Sequence, residues 1–397
     1  MKILKIMKQM YKNIFIKIIY IYIMIYTYIL FIIIVGLIVF YIIKNSSESF
    51  VNPNTEDDLK GKNGFNILYT DKGEQLNIAL IPQPFGGAEQ YKNLLINIPY
   101  YKYLAISSYM EFPHVPSNPL DNYIDAKLKE DEDGKSKFYL DMYLKVCDGF
   151  LHCFRDPKKY LGDSYNKPLA LISDSDFCNY NVAKPDPSVE KIYDYVYSCP
   201  KVNENSTCDD WVAYNKNWEL GKKVVFKLSQ ELGLKGLLVG RKGCEVPENC
   251  TAVGWVNYGD MLKMYQQAKI VLLPNVADAS PRVLTECLST DLRCLVNENI
   301  LGGWKYVNNQ TGEFFTDEND VVVAAKKILD NYDSYSPRQY MIDNYGPINS
   351  GKRLKKYLYD NFKDHLNVSE EDVEYVTLRA PLYNFEDLGK DSSQVSK

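Results

Sequence analysis

The chain is short of histidine and of basic excess, and it lacks cysteines at zinc-site spacing. Three histidines, His114, His152 and His365, are scattered over 397 residues. None of the nine cysteines stands in the Cys-x-x-Cys spacing of a structural zinc site, so a zinc centre is not expected. With 46 Lys and Arg against 51 Asp and Glu, the net charge is -5, which offers no positive field to a nucleic-acid backbone. There is no Ser-His-Asp order and no nucleophile elbow, which argues against a hydrolase of that kind.

What is present begins with one long apolar run. Ile18 to Ile43 carries no charge and is long enough to cross a bilayer core as a helix. It exceeds the apolar region of a cleaved signal peptide, and no small-residue cleavage pattern follows it. Lys2, Lys5, Lys8, Lys12 and Lys17 precede it, whereas Lys44 alone follows before Glu48, Glu56, Asp57 and Asp58. The positive-inside rule then leaves residues 1–17 in the cytoplasm and puts the bulk of the chain across the membrane, in a lumenal or extracytoplasmic space. Residues 44–64 are polar and read as a flexible stem. The near pairs Cys147 with Cys153, Cys199 with Cys208, and Cys244 with Cys250 suit local disulfides in an oxidising compartment.

The remainder is 46% hydrophobic and 24% charged over the whole chain, ample for two globular domains. Short apolar strands at Tyr103–Ser107, Gly149–Cys153 and Lys167–Ser173 alternate with longer stretches, which predicts a parallel α/β sheet. Pro185 to Asn205, with Pro187 and Pro200, reads as an interdomain linker. The expected layout is a first α/β domain over 65–190, a second over 191–345, a helix over 346–366 that packs back, and a mobile tail over 367–397.

The most informative stretch lies in the second domain. Ile270-Val-Leu-Leu273 reads as a strand ended by Pro274, and Val283, Leu284, Cys287 and Leu288 recur at helical spacing. Ser280 is a suitable N-cap and Pro281 fits the first helical position. Such a helix start presents backbone N–H groups and a positive dipole end to an anion, with Arg282 and Val283 beside them. Asp278 stands before this start and Glu286 eight positions later, so carboxylates would flank a bound phosphate and accept hydrogen bonds from sugar hydroxyls. Lys216, Lys222 and Arg241, the last at the end of the strand Lys235–Gly240, are candidate cations for that phosphate. Gly86 and Gly87, after the strand Asn77–Leu80, form a glycine loop able to approach a phosphate closely.

These pieces, taken in order, resemble the GT-B glycosyltransferases of the glycosyltransferase 4 group. That group carries two glutamates separated by seven residues; here Asp278 takes the first position and Glu286 the second. The strand ending at Gly240, Thr251-Ala-Val-Gly254-Trp255-Val256, the helical run from Met261 and the glycine loop at Gly302-Gly303 resemble the family's segments in sequence order. The resemblance implies two Rossmann-like domains facing a cleft and a retaining, metal-independent transfer of a sugar from a nucleotide donor to an acceptor hydroxyl of a glycan, lipid or protein. The nucleotide sugar is then a substrate, and no cofactor is implied. It further implies that Lys216, Lys222 and Ser280 to Val283 stabilise the departing diphosphate, that Glu286 holds the ribose and Asp278 the donor sugar, and that Gly254 and Trp255 belong to the donor pocket.

Two rivals stand beside this reading. Asp174-Ser175-Asp176 follows an apolar strand, as in GT-A enzymes that hold manganese with two such carboxylates; the alternative is a turn opening the interdomain connection. A non-catalytic membrane-anchored binding protein would keep the same fold. His152 and His114 fall where an acceptor would enter, although a structural role suits each as well.

Overall fold

The computed structural model describes residues 66–82, 94, 97–107, 143, 145–163, 165–203, 205–210, 212–213 and 216–378. The expected anchor, the stem, the Gly86-Gly87 loop and His114 lie outside the described residues. Among the described residues no helix is long and apolar enough to cross a membrane.

Two six-stranded sheets organise the chain. The first contains β1 (Asn66–Thr70), β2 (Gln75–Ile81), β3 (Lys102–Ile106), β4 (Gly149–Leu151), β5 (Leu169–Ala170) and β12 (Val376–Thr377), with the short helix α1 (Pro157–Leu161) between β4 and β5. Its order is β12-β1-β2-β3-β4-β5; β2 to β5 pair in parallel, and β1 is antiparallel to both its neighbours. The expected strand over Lys167–Ser173 is thus only the two residues of β5. The second sheet contains β6 (Tyr193–Ser198), β7 (Gly236–Val239), β8 (Thr251–Val253), β9 (Ala268–Leu273), β10 (Arg293–Asn297) and β11 (Gly312–Phe315), ordered β11-β10-β9-β6-β7-β8 and parallel throughout. The chain lays β6, β7 and β8 outward in one direction, returns, and adds β9 on the other flank of β6. This is the strand order of a dinucleotide-binding fold, and it opens a crevice at the carboxyl ends of β6 and β9, where the order reverses.

Period-two alternation divides each strand of the second sheet between two cores. Val196, Leu237, Val271, Leu273 and Val296 face one layer, formed by α3 (Tyr258–Gln266) and α4 (Arg282–Ser289). Tyr195, Tyr197, Leu238, Ile270, Leu272 and Leu295 face the other, formed by α2 (Trp218–Leu232) and α5 (Val321–Asp330). Burial on both faces explains why Ile270–Leu273 of β9 and Cys294–Val296 of β10 read as unbroken apolar runs rather than as alternating ones.

The central strand β6 lies inside the stretch expected to be a linker, which corrects that expectation. Its sequence, Tyr-Asp-Tyr-Val-Tyr-Ser, is flanked by Pro187 and Pro200 and has little of the aliphatic character of a core strand. Tyrosine serves here because each buried hydroxyl has a partner and each ring has room. Tyr197 donates to the Lys216 carbonyl at 2.8 Å and Tyr195 lies 3.3 Å from the Cys250 sulfur. The rings of Tyr197 and Tyr195 occupy the volume that a Cβ at Gly221 and at Gly236 would need.

After α6 (Pro337–Asn344), the helix α7 (Gly346–Phe362) returns to the first sheet, where Leu354, Tyr357, Leu358, Tyr359 and Phe362 join Leu68, Ile78, Leu104 and Leu151 in one core. Each such side chain contributes about 2 kcal/mol on burial. The stretch expected to be a mobile tail from Asn367 is docked as far as Leu378. The Asn367 amide bridges Asn77 N–H (3.1 Å) and the Gln75 carbonyl (2.9 Å), Val373 and Val376 are buried, and β12 pairs with β1.

Candidate functional site

The crevice at the switch point is built by two loops. The loop leaving β6 ends at Lys216 and Asn217, and the loop leaving β9 runs from Pro274 to Pro281. Asn217 adopts a left-handed conformation (φ 51°) and its amide donates to the Pro274 carbonyl at 2.9 Å, fastening one loop to the other. The Lys216 ammonium then reaches the Asp278 carboxylate at 2.6 Å. Asn275 donates to the same carboxylate at 2.9 Å, and the Ser280 N–H also bonds it. Burial would raise the pKa of Asp278, but Lys216 and these two donors hold it below the usual carboxylate range.

The α4 start differs in detail from expectation. Pro281 is the N-cap and Arg282 the first helical residue, because the Ser280 hydroxyl is engaged elsewhere: it accepts from Ser175 N–H at 2.9 Å and pairs with the Ser175 hydroxyl at 2.7 Å. Arg282 is exposed, while Val283 is partly buried against the core. Glu286 sits on the first turns of α4, 9% exposed. Burial pushes its pKa up to about 7, against the opposing effects of Arg282 and of a hydrogen bond from Tyr258. Tyr258 opens α3 behind the Asn257 cap, just after Gly254 and Trp255 at the end of β8, and Trp255 is 74% exposed.

A third loop closes the back of the site. Leu301 N–H donates to Val276 O (2.7 Å) and Gly302 N–H to Asp278 O (2.9 Å). A Cβ at Gly302 would overlap the Ala279 carbonyl, so only glycine permits this approach. Trp304 Nε1 donates to the Cys153 carbonyl at 2.8 Å and Arg155 to the Glu298 carbonyl at 2.9 Å, which brings the loop after β4 against the same wall. His152, on that loop, is buried; burial and the charge of Lys305 lower its pKa to about 4, so its ring is neutral at physiological pH.

Two expected site residues, and one carboxylate of the rival metal-binding reading, lie elsewhere. Lys222 is on the outer face of α2, paired with Glu245 and over the Phe226 ring, because its place on the helix turns it away from the crevice. Arg241 is fully buried and spent on structure: it donates to the carbonyls of Cys199 (2.6 Å), Cys208 (2.7 Å) and Pro200 (3.2 Å) and lies over Trp218. Asp176 is not turned outward for a cation. It has no exposure and is held by Lys305 at 2.7 Å, the Tyr306 hydroxyl and Ser173, with Arg353 at 3.9 Å. Asp174–Phe177 is a single 3-10 turn, closed by reciprocal Ser173 and Asp176 bonds. The described disulfide is Cys208–Cys244, not one of the near pairs; it ties the loop after β6 to the end of the β7 segment.

Ser175, Tyr258 and Asn275 complete the site without having been expected. Asn275 follows the strand-ending Pro274 directly, and Tyr258 follows a helix cap; both are positions from which a side chain can reach the strand ends. A separate cleft of about 490 Å³, lined in part by Pro185, Lys191, Asp291 and Arg338, opens at the amino edge of the second sheet. Its cations are spent on main-chain carbonyls: Lys191 on Gln266 and Ala268, Arg338 on Tyr180, Ala183 and Ser289.

No protein-family model and no curated protein sequence matches the chain. Solved structures do. Over 69% of its residues the chain is similar to sucrose-phosphate synthase from Thermosynechococcus elongatus, covering 71% of that protein at 12% identity with a TM-score of 0.50. HepE of Anabaena, solved with UDP-glucose, matches 68% of the chain and 76% of its own length at 9% identity, TM-score 0.48. The pneumococcal O-GlcNAc transferase GtfA, solved with UDP and GlcNAc, matches 69% of the chain and 54% of its own length at 10% identity, TM-score 0.45. At such identities the likeness is one of fold. Two parallel-rich sheets, a reversal of strand order in the second and a terminal helix returning to the first complete the description: the chain has the GT-B fold of the glycosyltransferases.

Proposed function

We propose that the protein is a glycosyltransferase that moves a sugar from a nucleotide-sugar donor to an acceptor hydroxyl of a glycan, lipid or protein. The observation that carries this reading is the meeting of Lys216, Asp278 and the α4 start at the switch-point crevice, with Glu286 further along the same helix. A diphosphate placed there meets an ammonium and a positive helix end, which stabilise the negative charge that develops as the glycosidic bond breaks. Glu286, as a carboxylate, accepts hydrogen bonds from the ribose hydroxyls, and Trp255 and Tyr258 border the nucleoside end. The family resemblance assigns Gly86 and Gly87 to the phosphates as well.

Transfer with retention and without a metal rests on the family resemblance, in which cationic side chains and a helix start carry the diphosphate. Anchoring by residues 18–43, with the N-terminus cytoplasmic, rests on the charge asymmetry of the sequence; the Cys208–Cys244 disulfide suits the oxidising compartment that this orientation requires. The binding of Asp176 within the protein weighs against the GT-A alternative.

Thermal unfolding of the full chain in detergent, with UDP, GDP, ADP and their glucose conjugates, each with manganese or with EDTA, tests the reading. Ligand that binds only the folded state raises the midpoint by mass action. Stabilisation by one nucleotide in EDTA is the expected result. Strict dependence on manganese contradicts the metal-independent transfer, and silence across the panel favours a non-catalytic binder.

A further inference from the structure

We infer that Asp278 is a positioning residue for Lys216, acting on the donor diphosphate through the lysine rather than gripping the donor sugar itself. The inference rests on the proposed function and deepens it. Lysine carries its charge on a flexible four-carbon stem, and ordering such a stem on binding is costly. Here the backbone is already fixed: Tyr197 donates to the Lys216 carbonyl, and Asn217 is tied to Pro274. Only the ammonium remains to be placed, and Asp278 places it at 2.6 Å.

The Asp278 carboxylate is committed to the lysine on one oxygen. Lys216 and Asn275 both donate to Oδ2, so the two fix its orientation toward the ammonium. Its side chain is 12% exposed, against 28% for Lys216, so the lysine and not the aspartate is the more accessible partner. Asn275 gives its amide hydrogen to Asp278 while its own buried carbonyl oxygen has no partner among the described residues. An unpaired buried acceptor is costly, which fits a loop whose geometry is set by the needs of the carboxylate. Aspartate is also one methylene shorter than the glutamate usual at this position, which draws the charge back from the crevice.

A double-mutant cycle tests this. Affinities of Asp278→Asn, Lys216→Met and the double variant are measured by calorimetry for the nucleoside diphosphate that stabilises the native protein and for its glucose conjugate. Positioning predicts that Asp278→Asn weakens both ligands by the same factor, about tenfold, and has no further effect in the Lys216→Met background. A loss confined to the sugar conjugate, or one that persists without the lysine, overturns the inference in favour of a sugar contact or a purely structural role. A gain in affinity overturns it as well, because it would mark the carboxylate as a competitor of the phosphate. Asp278→Glu, which keeps the charge, retains binding of both ligands in the positioning case and guards against misfolding of the asparagine variant. Absence of nucleotide binding by the native protein removes the proposed function itself, a result distinct from any of these.

Discussion

Two of the lysine–aspartate pairs among the described residues share one chemistry and differ in how each is enclosed. Lys305 and Asp176 approach to 2.7 Å with side-chain exposures of 6% and 0%, whereas Lys216 and Asp278 approach to 2.6 Å with exposures of 28% and 12%. The first pair is enclosed by Tyr306, Ser173 and Arg353, and Ser350 on α7 donates to the Asp176 carbonyl. It braces the turn after β5 to the loop after β10 and to α7, and no ligand can reach it. The second is enclosed on the aspartate side and open on the lysine side. An ion pair becomes a brace or a site according to which of its partners still faces solvent.

Breaking the first pair gives the largest expected effect. Asp176→Ala leaves a buried ammonium unpaired and costs about 3–5 kcal/mol of stability, read from urea unfolding. Lys216→Met costs less in the same assay, because Asn275 still donates to the Asp278 carboxylate, but removes most nucleotide binding; equal losses of stability in the two variants would erase the distinction. The Glu286 carboxyl sharpens it further. Burial holds its pKa at about 7 in the folded chain, above the ordinary 4.5, so the folded state holds this proton more tightly. The associated stabilisation is fully present below 4.5 and is lost as the pH rises through 7. In the proposed function Glu286 binds the ribose in its ionised form, so affinity for the nucleoside diphosphate is expected to rise about tenfold between roughly pH 6 and pH 8. The rise is absent in Glu286→Gln; a flat profile in the native protein would show that Glu286 does not titrate there. The smallest effect belongs to Lys222→Ala. With its ammonium on Glu245, this variant changes nucleotide affinity less than about twofold, and a tenfold loss would return Lys222 to the site.

How far the sequence discloses this molecule depends on which interactions are local. The unit β9–α4–β10 is legible because a strand buried on both faces is continuously apolar and an amphipathic helix repeats at its own period. Asp278 and Glu286 stand at fixed distances from those elements and are legible with them. Strand β6 is not, because its core residues are tyrosines whose partners, Lys216 and Cys250, are remote in sequence. Arg241 misleads for the same reason: its acceptors lie 33 to 42 positions away, and charge next to a strand end looks alike whether it is buried or free. Nor can spacing choose among cysteines, since Cys208 pairs with Cys244 across 36 positions and not with its nearer neighbours.

The docking of α7 and β12 on the first sheet has a consequence for biosynthesis. Asn77 is bonded to Asn367 and Asp71 to Glu374, contacts spanning 290 and 303 positions. Domains generally fold in order of emergence from the ribosome. Here the sheet that emerges first gains the cover of α7 over Leu68, Ile78 and Leu104 only after the whole second sheet has been translated. During that interval its apolar face is exposed, so the half that begins to fold first is the half that finishes last.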